Sequence, residues 1–365
     1  MSEQLETWID AAIGETREAL ARQGRPIALR VARWSDEGRR ARWGELYCAR
    51  VTSVDRRRRG AFLDLGLKDQ QGFLPLDHES RARRGGRDQV VLREGEGVFV
   101  SITREAARGK SPVAELTETG HDGEKPHRIA RHESDEALLL TRRTDHDMRA
   151  KLDALIEDCT ARTAPIPGGG ALLIEPTSAL VAIDVDSGAR TGSGDPERFA
   201  LDLNIAAAQE AARQIRLRSL GGVIAIDFVS MRAKAHRAQL EEAVRAAFAG
   251  DPWSVQFGEL SRFGVFQLAR AQLRGPLDEQ LRDADGRVSA ETVALMALRA
   301  IEREARTNTG RQIACTVAPE VKAWLDAAAF DWRARLGERI GFRWTLEAAL
   351  PTSIWPREKI DARAL

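Results

Sequence analysis

Two short apolar runs that each end in aspartate, residues 179–186 and 222–227, carry the residues best suited to chemistry. Each run is typical of a fully buried strand, because continuous Val, Ile and Ala is followed by a carboxylate and a turn. Asp184 and Asp227 end the runs, and Asp186 projects to the same face as Asp184. Clustered carboxylates suit Mg²⁺ or Mn²⁺. The pattern predicts a metal site for phosphoryl transfer; a helix cap or solvated turn is the open alternative.

The segment between the two runs indicates how the strands pair. A polar glycine-rich loop at 187–196 precedes a helical stretch at 197–220, which ends at Gly221 and Gly222. Strand, helix and strand in this order predict two parallel strands joined by a right-handed crossover. Ligand sites in such sheets lie beyond the carboxyl ends of the strands, where both aspartates are expected.

Three arginines on the intervening helix, Arg213, Arg216 and Arg218, are candidates for holding a polyanion. Basic side chains close to a carboxylate cluster fit a polyanionic substrate that arginine holds and a metal cuts. The alternative is a solvated helix face on which these arginines pair with Glu210.

The stretch from 168 to 273 resembles the catalytic core of the bacterial ribonuclease E/G family. Four blocks keep their order and spacing: Ala-Ile-Asp-Val-Asp-Ser-Gly at 182–188, Asn-Ile-Ala-Ala-Ala-Gln-Glu-Ala-Ala-Arg-Gln-Ile-Arg-Leu-Arg-Ser-Leu-Gly-Gly at 204–222, Ile-Asp-Phe-Val-Ser-Met at 226–231 and Ser-Arg-Phe-Gly at 261–264. The resemblance implies a DNase I-like subdomain in which Asp184 and Asp227 hold Mg²⁺ at the scissile phosphate. It also places Arg262 among the residues that contact RNA.

Position 186 departs from this family. The resemblance implies an asparagine here that helps to orient the site, whereas this chain has Asp186. An amide donor is thereby replaced by a third carboxylate. Two outcomes stay open: tighter metal binding, or a misoriented attacking water.

An earlier stretch, 43–120, predicts a small antiparallel barrel, because several short strands alternate with turn signals. It resembles the OB-fold RNA-binding barrel that sits at this place in ribonuclease E/G. The resemblance places Phe62 and Phe73 where rings stack on bases, and Lys110 beside them. Such stacking is worth about 1–3 kcal/mol per base. The alternative is that both phenylalanines are barrel core.

Two features of the family are missing from the sequence. The linker at 276–287 lacks the paired cysteines that share zinc between subunits, so neither zinc nor a zinc-linked oligomer is expected. The segment 121–167 is much shorter than the family's insert, and Arg142-Arg143 is a faint echo of its motif. We therefore expect no recognisable pocket for a 5′-monophosphate.

Composition fits an intracellular protein that contacts nucleic acid. The 365 residues suggest two or three domains, and the net charge of +1 makes any RNA surface a local patch. Only seven of the 56 basic residues are lysine; arginine forks match phosphates and stack on bases. The sequence has no apolar stretch long enough to cross a bilayer and no signal-peptide pattern, which predicts a cytoplasmic location without membrane association.

The sequence thus predicts an α/β multidomain protein with an OB-fold RNA-binding β-barrel, a DNase I-like α/β catalytic core and a small C-terminal α/β domain. The expected segments are an N-terminal helix (5–23) and strand (27–31) within 1–42, the barrel at 43–120, a shortened connecting segment at 121–167 with a helix at 151–162, the catalytic domain at 168–275, a cysteine-free linker at 276–287 and the C-terminal domain at 288–365.

Two functions remain from this reasoning. The first is a Mg²⁺-dependent endoribonuclease, with Mn²⁺ as a possible substitute, that hydrolyses single-stranded RNA in RNA processing or decay. The resemblance implies products with a 5′-phosphate and a 3′-hydroxyl. The second is an RNA-binding protein of the same family whose nuclease activity is weak or lost.

Overall fold

The computed structural model of the chain describes residues 5–76, 92–119, 124–133, 144–188, 195–349 and 359–364. Over these ranges the chain is a mixed α/β protein with a three-stranded N-terminal sheet, a closed barrel, a six-stranded mixed sheet and a three-stranded C-terminal sheet. Arg142 and Arg143 lie outside the described residues.

The N-terminal region is a three-stranded antiparallel sheet, so the helix predicted at 5–23 is wrong. Its strands are β1 (Leu5–Ala11), β2 (Glu15–Arg22) and β3 (Arg25–Arg33). Burial alternates with period two around Trp8 and Asp10, which is the period of a strand. The chain then reverses at Gly14, whose φ of +85° a continuous helix does not allow. The predicted strand at 27–31 is present within β3.

A closed five-stranded barrel follows. Its strands are β4 (Leu46–Asp55), β5 (Gly60–Asp64), β6 (Gln71–Pro75), β7 (Gly97–Arg104) and β8 (Val113–Thr119). The spatial order is β5-β6-β8-β7-β4, and pairing of β5 with β4 closes it. A further strand, β9 (His127–Ala130), pairs with β4. The closed five-stranded arrangement is consistent with the predicted OB-fold.

Helix α1 (His146–Thr160) covers the N-terminal sheet and contains most of the helix predicted at 151–162. Leu152 and Leu155 pack with Trp8 and Leu29 in one apolar cluster. The Asp145 carboxylate caps the helix by accepting from the Asp147 amide.

The next module is a six-stranded mixed sheet with two helices. Its elements are β10 (Thr163–Pro165), β11 (Ala171–Pro176), β12 (Val181–Asp186), α2 (Pro196–Leu217), β13 (Gly222–Asp227), α3 (Lys234–Ala247), β14 (Val255–Leu260) and β15 (Val265–Arg270). The strand order is β10-β11-β12-β13-β15-β14. Strands β12 and β13 are parallel, as predicted, with α2 as the crossover.

Both helices pack on the same face of this sheet, so the prediction of fully buried strands is wrong. Ile183, Ile226 and Phe266 point into the core shared with α2 and α3. The alternate residues point to the opposite side, and among them Asp184 and Asp227 are solvent-exposed. We call this side the exposed face. A DNase I-like architecture for the module stays a prediction.

The C-terminal part contains α4 (Leu277–Leu281), α5 (Ala290–Thr307), β16 (Arg311–Val317), α6 (Pro319–Ala327), α7 (Trp332–Ile340), β17 (Trp344–Ala348) and β18 (Lys359–Ala364). Strand β16 is central, parallel to β17 and antiparallel to β18. The predicted linker is therefore partly helical. Among the described helices, none is both long and apolar enough to span a membrane.

A buried network of ion pairs joins the N-terminal sheet to α1 and α5. The Asp10 carboxylate accepts from Arg17 at 2.5 Å and from Arg149 at 2.8 Å. Arg149 also pairs with Glu302 at 3.1 Å, and Arg299 of α5 pairs with Glu15. Since buried charges need partners, these contacts fix the N-terminal sheet against two later helices.

Candidate active site on the exposed face

The two strand-end aspartates are direct neighbours in the sheet. Asp184 of β12 is in register with Asp227 of β13, so their Cα atoms lie on strands about 4.8 Å apart. In the same row, Leu173 is the partner of Asp184 on β11, and Val265 is the partner of Asp227 on β15. Both carboxylates are exposed. The sheet thus presents two adjacent carboxylates flanked by apolar side chains.

Asp186 lies two residues beyond Asp184 and is also exposed. Its Oδ1 accepts a hydrogen bond from the Gly188 amide at 2.8 Å, which closes the turn after β12. Asp184 and Asp186 line a cleft with Leu173 and Ser187. Asp186 therefore has a structural contact in addition to its place beside the aspartate pair.

The loop that follows Asp227 is fixed by α2. The fully buried Asn204 side chain donates to the Val229 carbonyl at 2.8 Å and accepts from the Val229 amide at 3.0 Å. The Glu197 carboxylate accepts from the Arg232 and Ala233 amides at 2.7 Å each. These bonds hold the chain immediately after Asp227, and hence the position of its carboxylate.

The β14–β15 hairpin turn approaches Asp227 from the other side. Gly264 has a φ of +91°, and its carbonyl accepts from the Phe228 amide at 3.3 Å. A Cβ at Gly264 would lie 3.9 Å from Asp227 Oδ1 and 3.2 Å from the Phe228 carbonyl oxygen. The close approach and the left-handed backbone both favour glycine here.

The ligands that this site offers are oxygens. Mg²⁺ is commonly held by one or two carboxylates together with water and substrate phosphate, which fits Asp184 and Asp227. In the described part of the chain, no three His, Cys, Asp or Glu side chains are grouped closely enough to hold a metal. Asp186 therefore does not complete a three-carboxylate group, contrary to the clustering predicted from the sequence. The pair fits a metal that keeps open positions and not a closed structural zinc site.

Exposed cations are found at the same end of the sheet. Arg232 and Lys234 follow Asp227, and Arg262 lies at the hairpin turn beside it; all three are exposed. Only Arg262 was predicted. Arg232 and Lys234 were missed, although they directly follow residues 226–231, one of the four blocks that carry the family resemblance, and could have been predicted from that position.

The helix arginines lie elsewhere, and the prediction that they stand beside the aspartates is wrong. Helix α2 runs antiparallel to its flanking strands, so its last turns lie at the amino end of β13, about 25 Å along the helix from its start. Arg213 pairs with Glu210 at 2.6 Å, as the alternative held, but Glu210 and Arg218 are buried, so this helix face is not solvated. Arg216 donates to the Ala247 carbonyl at 3.1 Å, and Arg218 to the Ala161 carbonyl at 2.7 Å. These arginines tie α2 to neighbouring elements.

Phe62 and Phe73 are paired on the outside of the barrel. They are register partners on β5 and β6, and their ring centroids are 5.4 Å apart. Both are partly exposed, whereas their neighbours Leu63 and Leu74 are fully buried. The Arg58 guanidinium lies 5.9 Å from the Phe62 ring centroid. The geometry favours a surface platform over barrel core.

Lys110 is exposed in the loop before β8. It lines a polar cleft between the barrel and the segment that follows β15, together with Arg40, Glu105 and Glu279. The structure thus leaves its ammonium group accessible to a phosphate.

Comparison with known proteins gives a match over the middle of the chain. Residues 116–273 match the ribonuclease E/G family. The match begins in β8 and ends after β15, so it contains both aspartates, α2 and the β14–β15 hairpin. Most of the barrel and the C-terminal part lie outside it.

Individual relatives agree with this match. Ribonuclease E of Haemophilus influenzae is 35% identical over 182 residues, which are 48% of this chain and 20% of that protein. Ribonuclease E of Escherichia coli is also 35% identical over 182 residues, which are 48% of this chain and 17% of that protein. The chloroplastic ribonuclease E/G-like protein of Arabidopsis thaliana is 36% identical over 148 residues, or 38% of this chain and 15% of its own length. The chain spans a fifth or less of each of these three relatives.

Proposed function

The chain belongs to the ribonuclease E/G family through its segment 116–273, and from this premise we propose that it is a metal-dependent endoribonuclease acting on single-stranded RNA. Names of relatives such as ribonuclease E of Escherichia coli support cleavage of RNA as the reaction class. Asp184 and Asp227 would hold the metal, which we expect to be Mg²⁺, or Mn²⁺ in its place.

The observation that carries the proposal is the register pairing of Asp184 with Asp227 on the exposed face. Two adjacent carboxylates would repel each other unless a cation lies between them. Their exposure leaves room for a phosphodiester, which a fully buried pair would not. The pair also lies within the segment that matches the ribonuclease E/G family, which supports the proposal.

A bound divalent cation would polarise the scissile phosphate and generate a nucleophile from water. Hydrolysis in which water attacks phosphorus and the ribose 3′-oxygen leaves would give a 5′-phosphate and a 3′-hydroxyl. The chain's own groups would position the RNA. Arg262, Arg232 and Lys234 offer positive charge at the strand ends, and the Phe62–Phe73 pair offers rings for stacking.

A second candidate function is RNA binding with weak or lost cleavage. It is favoured by Asp186, which stands where the family resemblance implies an asparagine and which is hydrogen-bonded to the Gly188 amide. In this case the barrel and the cationic side chains would bind RNA, while the site at the aspartate pair would cleave RNA slowly or not at all.

Gel analysis of an end-labelled single-stranded RNA separates the two functions. Wild type with Mg²⁺ should yield discrete shorter products, and neither Asp227→Asn nor wild type with EDTA should do so. Asp202→Asn provides a matched control, because Asp202 is an exposed aspartate of α2 away from the pair. If wild type binds this RNA but produces no fragments with Mg²⁺ or Mn²⁺, the RNA-binding function replaces the nuclease.

A further inference from the structure

Phe263 is an apolar ring in solvent at the turn between β14 and β15. Its exposed fraction is 72%, which only Phe342 exceeds, at 78%, among the large hydrophobic side chains of the described residues. A single exposed apolar residue is common on protein surfaces and needs no function. The surroundings of Phe263 distinguish it from such residues.

The backbone that carries the ring is held firmly. Ser261 Oγ accepts from the Phe263 amide at 3.3 Å and from the Val265 amide at 3.2 Å. From α3, the Arg237 guanidinium donates to the carbonyls of Leu260 at 3.0 Å and Ser261 at 2.8 Å. An ordered turn loses less conformational entropy on binding than a mobile loop, so it can present a ring at low cost.

The same turn is joined to the aspartate pair. The carbonyl of Gly264, the residue after Phe263, accepts from the amide of Phe228, which follows Asp227, and a Cβ added at Gly264 would lie 3.9 Å from Asp227 Oδ1. The ring is therefore anchored next to the position proposed for the scissile phosphate. No comparable link connects Phe342 to the pair within the described residues, because Phe342 follows α7 in the C-terminal part.

The guanidinium group of Arg262 places a positive charge beside the Phe263 ring. The Arg262 guanidinium carbon lies 4.7 Å from the Phe263 ring centroid, within the range of a cation–π contact. An aromatic ring stacks on any nucleobase, and a guanidinium group pairs with phosphate. The two side chains together match one nucleotide, because the ring can stack on its base and the guanidinium group can pair with its phosphate.

We propose that Arg262 and Phe263 form a subsite for a nucleotide adjacent to the scissile phosphate, with the base stacked on Phe263 and the phosphate beside Arg262. This subsite rests on the proposed function of the Asp184–Asp227 pair and adds a contact to it. It is distinct from the Phe62–Phe73 platform, which lies on the barrel. Because stacking does not read base edges, the subsite favours an unpaired nucleotide of any sequence.

Binding can be measured without cleavage by fluorescence anisotropy in EDTA, with labelled oligoadenylate of about ten nucleotides, a typical site size for such grooves. A second probe is an abasic ribose-phosphate oligomer of equal length. Phe263→Ala should weaken oligoadenylate binding by about tenfold, within the range for one stacked base, and leave the abasic oligomer unaffected. Phe263→Trp should bind oligoadenylate as tightly as wild type does, and Phe342→Ala is the matched control.

Several outcomes would overturn the subsite. Equal oligoadenylate affinity for wild type and Phe263→Ala would remove it while leaving the aspartate pair and its cleavage intact. Equal losses for both probes would assign Phe263 a structural role, which a lowered thermal midpoint would reveal. Unchanged RNA affinity with an altered oligomeric state would make the ring a protein contact. If wild type bound neither probe, the proposed function would fail as well.

Discussion

Asp184 and Asp227 are register neighbours across the parallel strand pair β12–β13, and both side chains point away from α2 and α3. Parallel pairing brings the carboxyl ends of both strands to the same edge of the sheet. Helices on one face leave the carboxylates on the other face in contact with solvent. The relationship explains how two residues that are far apart in the sequence become one candidate site.

We expect Asp186→Asn to be tolerated. The asparagine Oδ1 can still accept from the Gly188 amide, so the turn after β12 should persist. Removal of one negative charge should raise the Mg²⁺ concentration needed for half-maximal cleavage, or increase turnover if Asp186 misorients water. Cleavage rates over a Mg²⁺ titration measure both effects. Complete inactivity with an unchanged thermal midpoint would show that Asp186 is itself essential, for instance as a general base.

Phe73→Ala should weaken binding of single-stranded RNA by about 1–3 kcal/mol, because a stacking surface on the barrel is lost. The ring is partly exposed, so the barrel should remain folded. Equilibrium binding and thermal unfolding, measured on the same preparation, separate the two effects. A large drop in stability with unchanged affinity of the folded protein would identify the ring as core.

Gly264→Ala should reduce cleavage more than binding. The added Cβ would lie close to the Phe228 carbonyl and the Asp227 carboxylate, at a φ of +91° that alanine disfavours. The strain of a residue in this region costs about 1–3 kcal/mol, and relief by backbone movement would displace Asp227. Gly250→Ala is a suitable control, since Gly250 has a φ of +75° with open space around it. Equal turnover in both variants would contradict the account of Gly264.

The buried ion-pair network makes stability depend on pH. Burial raises the pKa of the Asp10 and Glu15 carboxyls, but Arg17 and Arg149 beside Asp10, and Arg299 beside Glu15, outweigh it, so both pKa values are lowered. Groups with a lowered folded-state pKa stabilise the fold above their unfolded pKa of about 4 and lose this contribution as the pH falls through the folded value. The urea midpoint should therefore fall as the pH is lowered below about 4.

Asp10→Asn tests this network. The variant should be less stable than wild type at neutral pH, because two buried guanidinium groups lose a charged partner. The stability of the variant should also depend less on pH than that of wild type. Asp202→Asn, at an exposed pair, should behave like wild type. A wild-type midpoint that does not change with acidity would show that the network contributes no net stability.

The sequence was sufficient for the parts of the fold that depend on local pattern. The apolar run before each aspartate predicted the parallel pair of strands, and turn-forming residues predicted the barrel. Both the hydrophobic period and the turn residues are properties of the local sequence. The N-terminal sheet was missed because Asp10 and Arg17 are buried against Arg149 and Asp153 of α1, which a local pattern does not reveal.

The candidate site was predicted in part for the same reason. The predicted ends of two strands gave the positions of Asp184 and Asp227. The arginines of α2 were wrongly placed at the same end of the sheet as the aspartates, because a crossover helix ends at the amino end of the next strand. Phe263 stood inside a quoted block and was still overlooked. Its significance depends on exposure and on the hydrogen bond that joins Gly264 to Phe228, the residue after Asp227, which only the folded hairpin provides.

The most direct test of the central claim is a double-mutant cycle on cleavage rate, with Asp184→Asn, Asp227→Asn and the double variant under saturating Mg²⁺. If the two carboxylates hold one metal, each single variant should lose activity by orders of magnitude, and the double variant should be no slower than either. RNA affinity should be nearly unchanged throughout. Single variants with near wild-type rates, or losses that multiply in the double variant, would contradict a metal site shared by Asp184 and Asp227.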